Sequence, residues 1–247
     1  MTYTVLTFGY GYSAQALGRA LEPQGHRILG TTRGEPTQAQ IVQWPGTDMT
    51  AMLDAATHLL ISIAPDAGGD PVLAMLHAEI AARALQFKWV GYLSTTGVYG
   101  DHNGGWVDET TPLTPTTKRG IARFKAETAW SAIPELPLHI FRLAGIYGPG
   151  RGPFAKVRNG TARRIIKENQ VFSRTHVDDI AQVLAASMAR PNPGAVYNVC
   201  DDDPAAPEDV IGYAAELLGL PLPPAQDFAT ADMTPMARSF YAESKKV

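Results

Sequence analysis

The sequence predicts an α/β protein built on a doubly wound parallel sheet. Apolar runs alternate with helical patterns through the first 150 residues, which is the order that right-handed βαβ crossovers require. The run over residues 58–64 is almost entirely apolar, as expected of a parallel strand buried on both faces. A glycine-rich turn also joins the first predicted strand to the first predicted helix.

That turn predicts a dinucleotide site of the Rossmann type. An apolar run over residues 5–8 is followed by Gly9, Gly11 and Ala14 in the spacing G-x-G-x-x-A. The first glycine permits a tight turn, the second lets the backbone approach a diphosphate, and the alanine keeps the helix close to the sheet. The helix would direct free N–H groups and the positive end of its dipole at the phosphates. An ordinary strand-to-helix turn is the alternative. The residues predicted to contact the cofactor here are Gly9, Tyr10, Gly11, Tyr12, Ser13 and Ala14.

The end of the second predicted strand, residues 25–33, indicates which cofactor is preferred. An acidic residue there bonds the ribose 2′-hydroxyl of NAD, whereas an arginine favours the 2′-phosphate of NADP. The chain has Thr31, Thr32 and Arg33, and no acid before Glu35. We therefore expect Thr32 and Arg33 to contact the cofactor and NADP to be preferred, with NAD as the alternative. An ordinary solvated charge is the other interpretation of Arg33.

The remaining elements continue the alternation. Strands are predicted at 39–44, 58–64, 89–93, 138–143 and 195–200, and helices at 71–86, 116–132, 208–219 and directly after Asp178. Ligands of such sheets bind beyond the carboxyl ends of the strands. Pro65 and Ser94, which follow two of these strands, are therefore predicted to face the cofactor.

Composition argues against several classes of protein. A chain of 247 residues that is 45% hydrophobic can bury a large core. The net charge of −3 gives no support to nucleic-acid or anionic-membrane binding, and no apolar run reaches the length of a membrane span. The single cysteine, Cys200, leaves neither a disulfide framework nor a Cys-rich zinc site. A cytoplasmic protein without a metal site is expected.

Five segments, in order, resemble the extended short-chain dehydrogenase/reductase superfamily, the NAD(P)-dependent sugar-nucleotide epimerases and dehydratases. They are Gly9–Ala14, Leu93–Gly100, Phe141–Gly150, His176–Ile180 and Val196–Val199. The resemblance implies a dinucleotide-binding core over 1–150. Over 151–247 it implies a mixed segment that forms a small substrate lobe and returns a strand and a helix to the core. It further implies a homodimer as one possible assembly, through residues 71–86 and 116–132. Relatives continue past 239–247, so either the lobe is short or the sequence is incomplete.

The resemblance breaks at the catalytic residues. Relatives use a Ser/Thr, Tyr, Lys triad in which the tyrosine is the acid/base. Thr95 holds the Ser/Thr position, but Arg119 and Arg123 stand at the tyrosine and lysine positions of Y-x-x-x-K-x-x-x-E, and no tyrosine lies between residues 100 and 146. Arginine stays protonated and cannot relay protons, although it can bind phosphate or stabilise an oxyanion. The chain therefore resembles an atypical branch of the superfamily.

The proton donor is unassigned by the sequence. Tyr99 is the first candidate because it is close in sequence to Thr95, and a packed tyrosine with a hydrogen-bonded hydroxyl is the alternative. Tyr147, His176 and Asp178 are further candidates, each with a structural role as the alternative.

Two functions remain open. The first is an NADP(H)-dependent oxidoreductase or epimerase-like enzyme acting on a small anionic or nucleotide-linked substrate. Thr95 would orient the substrate oxygen, and Arg119 and Arg123 would supply positive charge. Seven basic residues against one acidic residue between 151 and 174 favour an anionic ligand, with a solvated helix face as the alternative. The second function is NAD(P) binding without turnover, as a redox sensor or a partner-docking module.

Overall fold

The computed structural model of the chain describes residues 2–247. Its strands, in chain order, are β1 (Thr4–Phe8), β2 (Arg27–Thr32), β3 (Ile41–Gln43), β4 (His58–Ile61), β5 (Trp89–Thr95), β6 (Leu138–Leu143), β7 (Gly145–Tyr147), β8 (Arg164–Ile166), β9 (Arg174–His176), β10 (Val196–Val199) and β11 (Ala225–Asp227). Its helices are α1 (Tyr12–Leu21), α2 (Thr50–Ala55), α3 (Pro71–Ala81), α4 (Lys118–Ser131), α5 (Pro153–Arg158), α6 (Val177–Ala189), α7 (Pro207–Leu217) and α8 (Pro235–Ser239).

Seven parallel strands form the central sheet, in the order β10-β6-β5-β4-β1-β2-β3. β1 lies inside the sheet between β4 and β2, with Val5 opposite both Ile28 of β2 and His58 of β4. The chain winds outward from β1 in both directions, so the strand order reverses beside β1. The predicted doubly wound α/β fold is confirmed, and the ligand crevice of such a sheet lies at the carboxyl end of β1.

Helices cover both faces of the sheet because each face presents a continuous apolar surface. On one face, Leu17 of α1 and Ile180 of α6 belong to a buried cluster with Val5 and Phe141. On the other face, side chains of α2, α3 and α4 pack in a second cluster around Tyr92. Burial of this apolar area is the main stabilising contribution to such a core.

The C-terminal part of the chain divides between this core and a second lobe. α6 and β10 return to the core, since α6 packs on α1 and β10 pairs with β6. α5, α7, α8 and the two-stranded parallel sheet of β8 and β11 form the lobe. A further short sheet pairs β7 with β9. The boundary at residue 150 stays a prediction.

The helices differ from the predictions mainly at their ends. The helix predicted over 71–86 ends at Ala81, is interrupted at Leu76 (φ −130°), and is followed by a 3-10 turn over 84–86. The helix predicted over 116–132 spans Lys118–Ser131, because the Thr117 side chain accepts the N–H of Gly120 and caps it. α3 and α4 expose Met75, Ile121 and Phe124; the homodimer stays a prediction.

Candidate functional site

The glycine turn after β1 has the geometry that a diphosphate requires. Gly9 has φ +90°, and a Cβ on it would stand 2.9 Å from Cγ1 of Ile63, so glycine is needed here. Its N–H donates to the Thr31 hydroxyl at 2.9 Å. Gly11 caps α1 with no side-chain hydrogen bond, and the space within 4 Å of a Cβ on it is open. The first turn of α1 contains no acidic residue. Uncapped N–H groups facing open space at a helix N-terminus suit an anion.

The side chains flanking this turn diverge. Tyr10 lies along α1, with its hydroxyl 2.6 Å from where a Cβ on Gly18 would stand, and burial raises its pKa. Tyr12 points the other way and donates to the Pro149 carbonyl at 3.0 Å. Ser13 and Ala14 are buried against the core. Of the predicted cofactor residues in this turn, the glycines would therefore contact a ligand through the backbone, whereas Tyr10 and Tyr12 direct their side chains away from each other.

The end of β2 lies beside a cavity. Thr32 lines it, whereas Arg33 is exposed and its carbonyl accepts the Gln43 side-chain amide at 3.2 Å. Within residues 2–247, Arg33 has no carboxylate partner within 4 Å. The cavity holds about 520 Å³ and is lined by Tyr10, Gln15, Arg19, Glu22, Thr32, Glu35, Thr37, Gln38 and Ile41.

The loop after β4 is a closed turn. Asp66 and Gly69 exchange backbone hydrogen bonds of 3.0 and 3.2 Å, and Pro65, half-buried, precedes them. Asp70 then caps α3 by accepting the N–H groups of Val72 and Leu73 through Oδ1. Pro65 therefore sits on a fixed loop at the carboxyl end of the sheet, which is the edge predicted for it.

Thr95 ends β5 and is half-buried. Its Oγ1 accepts the N–H of Gly97 at 3.2 Å, which leaves the hydroxyl proton free to be donated. Ser94, one residue earlier, is 4% exposed and donates to Glu127. Contact between Ser94 and a cofactor stays a prediction, and it would require this hydrogen bond to break.

The Tyr99 hydroxyl belongs to a buried hydrogen-bond network. Arg142 pairs with Glu127 at 2.9 Å, and its Nη1 donates to the Tyr99 hydroxyl at 3.0 Å. That hydroxyl donates in turn to Oδ1 of Asn198 at 2.8 Å. Tyr99 is fully buried, and burial raises its pKa. A proton-donor role for Tyr99 would therefore require the network to open.

The two arginines of α4 point to different places. Arg119 is exposed, and its guanidinium carbon lies 5.5 Å from the centre of the Phe240 ring in the second lobe. Arg123 is half-buried, donates to the Leu93 carbonyl, and lies 3.3 Å from the Tyr92 hydroxyl. Only Arg123 lies against the end of β5, so the structure does not group the two arginines around Thr95.

The basic residues of 151–174 also separate. Arg174 donates to the carbonyls of Phe172 and Ala205, at 3.0 and 3.1 Å, and Lys167 donates to Tyr241. Arg151, in contrast, lies at the crevice, with its guanidinium carbon 5.6 Å from the ring of Tyr12. Arg174 and Lys167 therefore bond backbone carbonyls rather than forming a solvated helix face, whereas Arg151 is exposed.

Sequence reasoning missed one group at this site. Glu243 and Lys245, only 8% exposed each, come from the last residues of the chain and lie beside the turn that follows β5. No local pattern marks them, because two charged residues near a terminus are usually solvated.

Comparisons with known proteins establish the family and the fold. Protein YeeZ of Escherichia coli (strain K12) is 33% identical over 239 residues, which cover 89% of this chain and 85% of YeeZ. A functionally unknown conserved protein from Silicibacter pomeroyi DSS has a structure with 67% identity and a TM-score of 0.95, covering 100% of this chain and 89% of that one. No model of a protein family matches the chain.

More distant structures share the fold. The dTDP-glucose 4,6-dehydratase of Bacillus anthracis str. Ames, in complex with NAD, superposes with a TM-score of 0.77 at 16% identity, covering 94% of this chain and 86% of that one. This chain belongs to the same family as protein YeeZ. The likeness to the dehydratase concerns the fold alone, which is the Rossmann-type α/β fold that the sequence predicts.

No helix within residues 2–247 is long and apolar enough to cross a membrane. The same residues contain no group of three or more His, Cys, Asp or Glu side chains that could hold a metal ion.

Proposed function

We propose that the chain binds NADP(H) at the Gly9–Ala14 turn and is an oxidoreductase or epimerase-like enzyme acting on a small anionic or nucleotide-linked substrate. The observation that carries this proposal is the uncapped start of α1, which opens from Gly11 into free space without any acidic residue. When bound, the nicotinamide would exchange hydride with the substrate. NAD-bound structures among the superfamily neighbours support a nicotinamide dinucleotide as the ligand.

This chain's own residues would bind and orient the reactants. The backbone N–H groups after Gly11 hold the diphosphate, and the free hydroxyl proton of Thr95 orients the substrate oxygen. Arg123, held against the end of β5 by the Leu93 carbonyl, supplies positive charge where the superfamily places a lysine. Arg151, exposed beside Tyr12, favours an anionic substrate at the mouth of the crevice.

The preference for NADP rests on the end of β2. Arg33 is exposed and without an ion-pair partner in residues 2–247, and no acid precedes Glu35 to bond a 2′-hydroxyl. We expect Arg33→Ala to weaken NADPH binding about 10- to 100-fold, because a charge-assisted bond to phosphate contributes about 1.5–3 kcal/mol. NADH binding should stay the same.

Fluorescence titration of both cofactors tests this. Arg27→Ala is the matched control, since Arg27 is an exposed arginine at the opposite end of the same strand. Equal losses of NADPH and NADH affinity in Arg33→Ala would refute the preference for NADP. Absence of binding of either cofactor to the wild-type protein would refute the proposed function.

The alternative function is cofactor binding without turnover, as a sensor or a docking module. It is favoured by the burial of Tyr99 and by the absence of any tyrosine between residues 100 and 146. Tight NADPH binding with no hydride transfer to any member of a panel of carbonyl compounds would favour this alternative.

A further inference from the structure

The last residues of the chain run through the interior beside the crevice. The N–H of Ser244 donates to Asp101 at 2.8 Å, and Lys246 exchanges backbone bonds of 2.9 Å with Gly105 and Val107. These bonds fix the backbone on both sides of Lys245. Glu243 and Lys245 are therefore held in place, and their side chains, each 9% exposed, form an ion pair of 3.0 Å.

The carboxylate of Glu243 lies near Gly97, in the turn that follows Thr95. A Cβ built on Gly97 would stand 3.5 Å from the Thr95 hydroxyl oxygen and 4.0 Å from Oε2 of Glu243. The other carboxylate oxygen, Oε1, accepts the hydroxyl of Thr116 at 3.3 Å. Glu243 therefore lies between the end of β5 and the segment that leads into α4.

This is the region that the missing tyrosine would occupy. The first turn of α4 packs directly on Gly97, because a Cβ on Gly120 would stand 2.5 Å from the Gly97 carbonyl oxygen. Arg119, which stands at the tyrosine position, is the residue before Gly120, and it turns away towards Phe240. The acidic side chain beside Gly97 is thus that of Glu243.

Lys245 positions this carboxylate. Its ammonium group donates to Oε2 of Glu243 and to the carbonyl of Gly100. Glu243 accepts only two side-chain hydrogen bonds from residues 2–247, whereas a carboxylate has about four acceptor sites. The remaining acceptor sites can take a hydrogen bond from a ligand hydroxyl.

We propose that Glu243 exchanges the proton of the substrate oxygen that Thr95 binds, with Lys245 as its positioning residue. This inference rests on the proposed oxidoreductase function. In the oxidising direction the substrate O–H bond breaks and its proton goes to Glu243. The hydrogen on the same carbon leaves with its electron pair to the oxidised nicotinamide dinucleotide, so the substrate loses two electrons and the cofactor gains two. A carboxylate can carry out this exchange at a working pH, whereas the arginines of α4 cannot.

Four variants test the assignment: Glu243→Gln, Lys245→Met, the double variant, and Glu216→Gln as a control on the exposed face of α7. The measurements are the melting temperature, the NADPH dissociation constant, and the pH profile of NADPH oxidation with a panel of 2-oxo acids and phosphorylated ketoses. We expect Glu243→Gln to lower kcat about 10²- to 10⁴-fold, the usual contribution of a general acid or base. It should bind NADPH within twofold of wild type and lose the fall in rate as pH rises.

The double variant separates catalysis from folding. Glu243→Gln leaves the Lys245 ammonium buried without its counter-ion and should lower the melting temperature, and the added Lys245→Met should restore it. If the double variant regains stability but not rate, the proposal is supported. If it regains rate, or if Glu243→Gln keeps the wild-type rate, the pair is structural and the proposal is overturned. A wild-type protein that binds NADPH and reduces no member of the panel contradicts the oxidoreductase function and this inference together, whereas an unchanged Glu243→Gln contradicts the inference alone.

Discussion

Replacing Glu127 by alanine tests the network that connects β5, α4 and β6. Glu127 and Arg142 are 4% and 5% exposed and form two hydrogen bonds with each other, at 2.9 and 3.3 Å. Glu127→Ala leaves the Arg142 guanidinium buried without its counter-ion and deprives the Ser94 hydroxyl of its acceptor. Breaking a buried pair from one side costs about 3–5 kcal/mol. For a chain of this size, that loss corresponds to a fall in melting temperature of roughly 6–20 °C.

Urea unfolding at pH 7, followed by tryptophan fluorescence, measures this loss. Glu216→Ala on the exposed face of α7 is the control and should change the free energy of unfolding by less than about 0.5 kcal/mol. Glu127→Leu combined with Arg142→Leu should recover a large part of the stability, because no charge is then left unpaired. A loss below about 1 kcal/mol in Glu127→Ala would refute the reasoning.

Three further outcomes are expected. Burial lowers the pKa of His58 from its ordinary value of 6.5 to about 4, so the unfolded chain binds this proton more readily. As the pH is lowered from about 6.5 to about 4, the free energy of unfolding should therefore fall further in wild type than in His58→Gln. An equal shift of the urea midpoint in the two proteins over that range would contradict this. Tyr99→Phe should lose about 1–3 kcal/mol of stability, because the Asn198 side-chain oxygen loses its donor and Arg142 loses one of its hydrogen bonds. NADPH affinity and turnover should be undiminished, and a large loss of turnover at unchanged affinity would make Tyr99 a candidate proton donor again. Gly9→Ala should weaken NADPH binding and lower the melting temperature, because the φ of +90° and the close approach to Ile63 both disfavour a Cβ. Wild-type NADPH affinity in this variant would show that the turn does not bind the diphosphate.

The core could be predicted from sequence because its signals are local. The run at His58–Ile61 and the glycine turn after Phe8 each lie within a few residues, so periodicity and glycine spacing are sufficient to locate them. Strands of three residues, such as β8 and β11, are too short to show any period. They form only because the lobe brings them together.

The candidate site could be predicted only where the backbone itself forms it. Ser94 and Thr95 are neighbours in sequence, yet one donates into the buried network and the other borders the crevice. That difference depends on Glu127 and Arg142, which lie on other elements. Glu243 reaches Thr116 across 127 residues, and a contact at that separation has no local signal in a single sequence.

The central claim is that a diphosphate binds against the start of α1, next to Tyr10 and Tyr12. A crystal structure of the protein grown with NADPH measures this most directly. The account predicts diphosphate density within hydrogen-bond distance of the backbone N–H groups that follow Gly11. Diphosphate density elsewhere, or side chains filling that space in the presence of saturating cofactor, would contradict it.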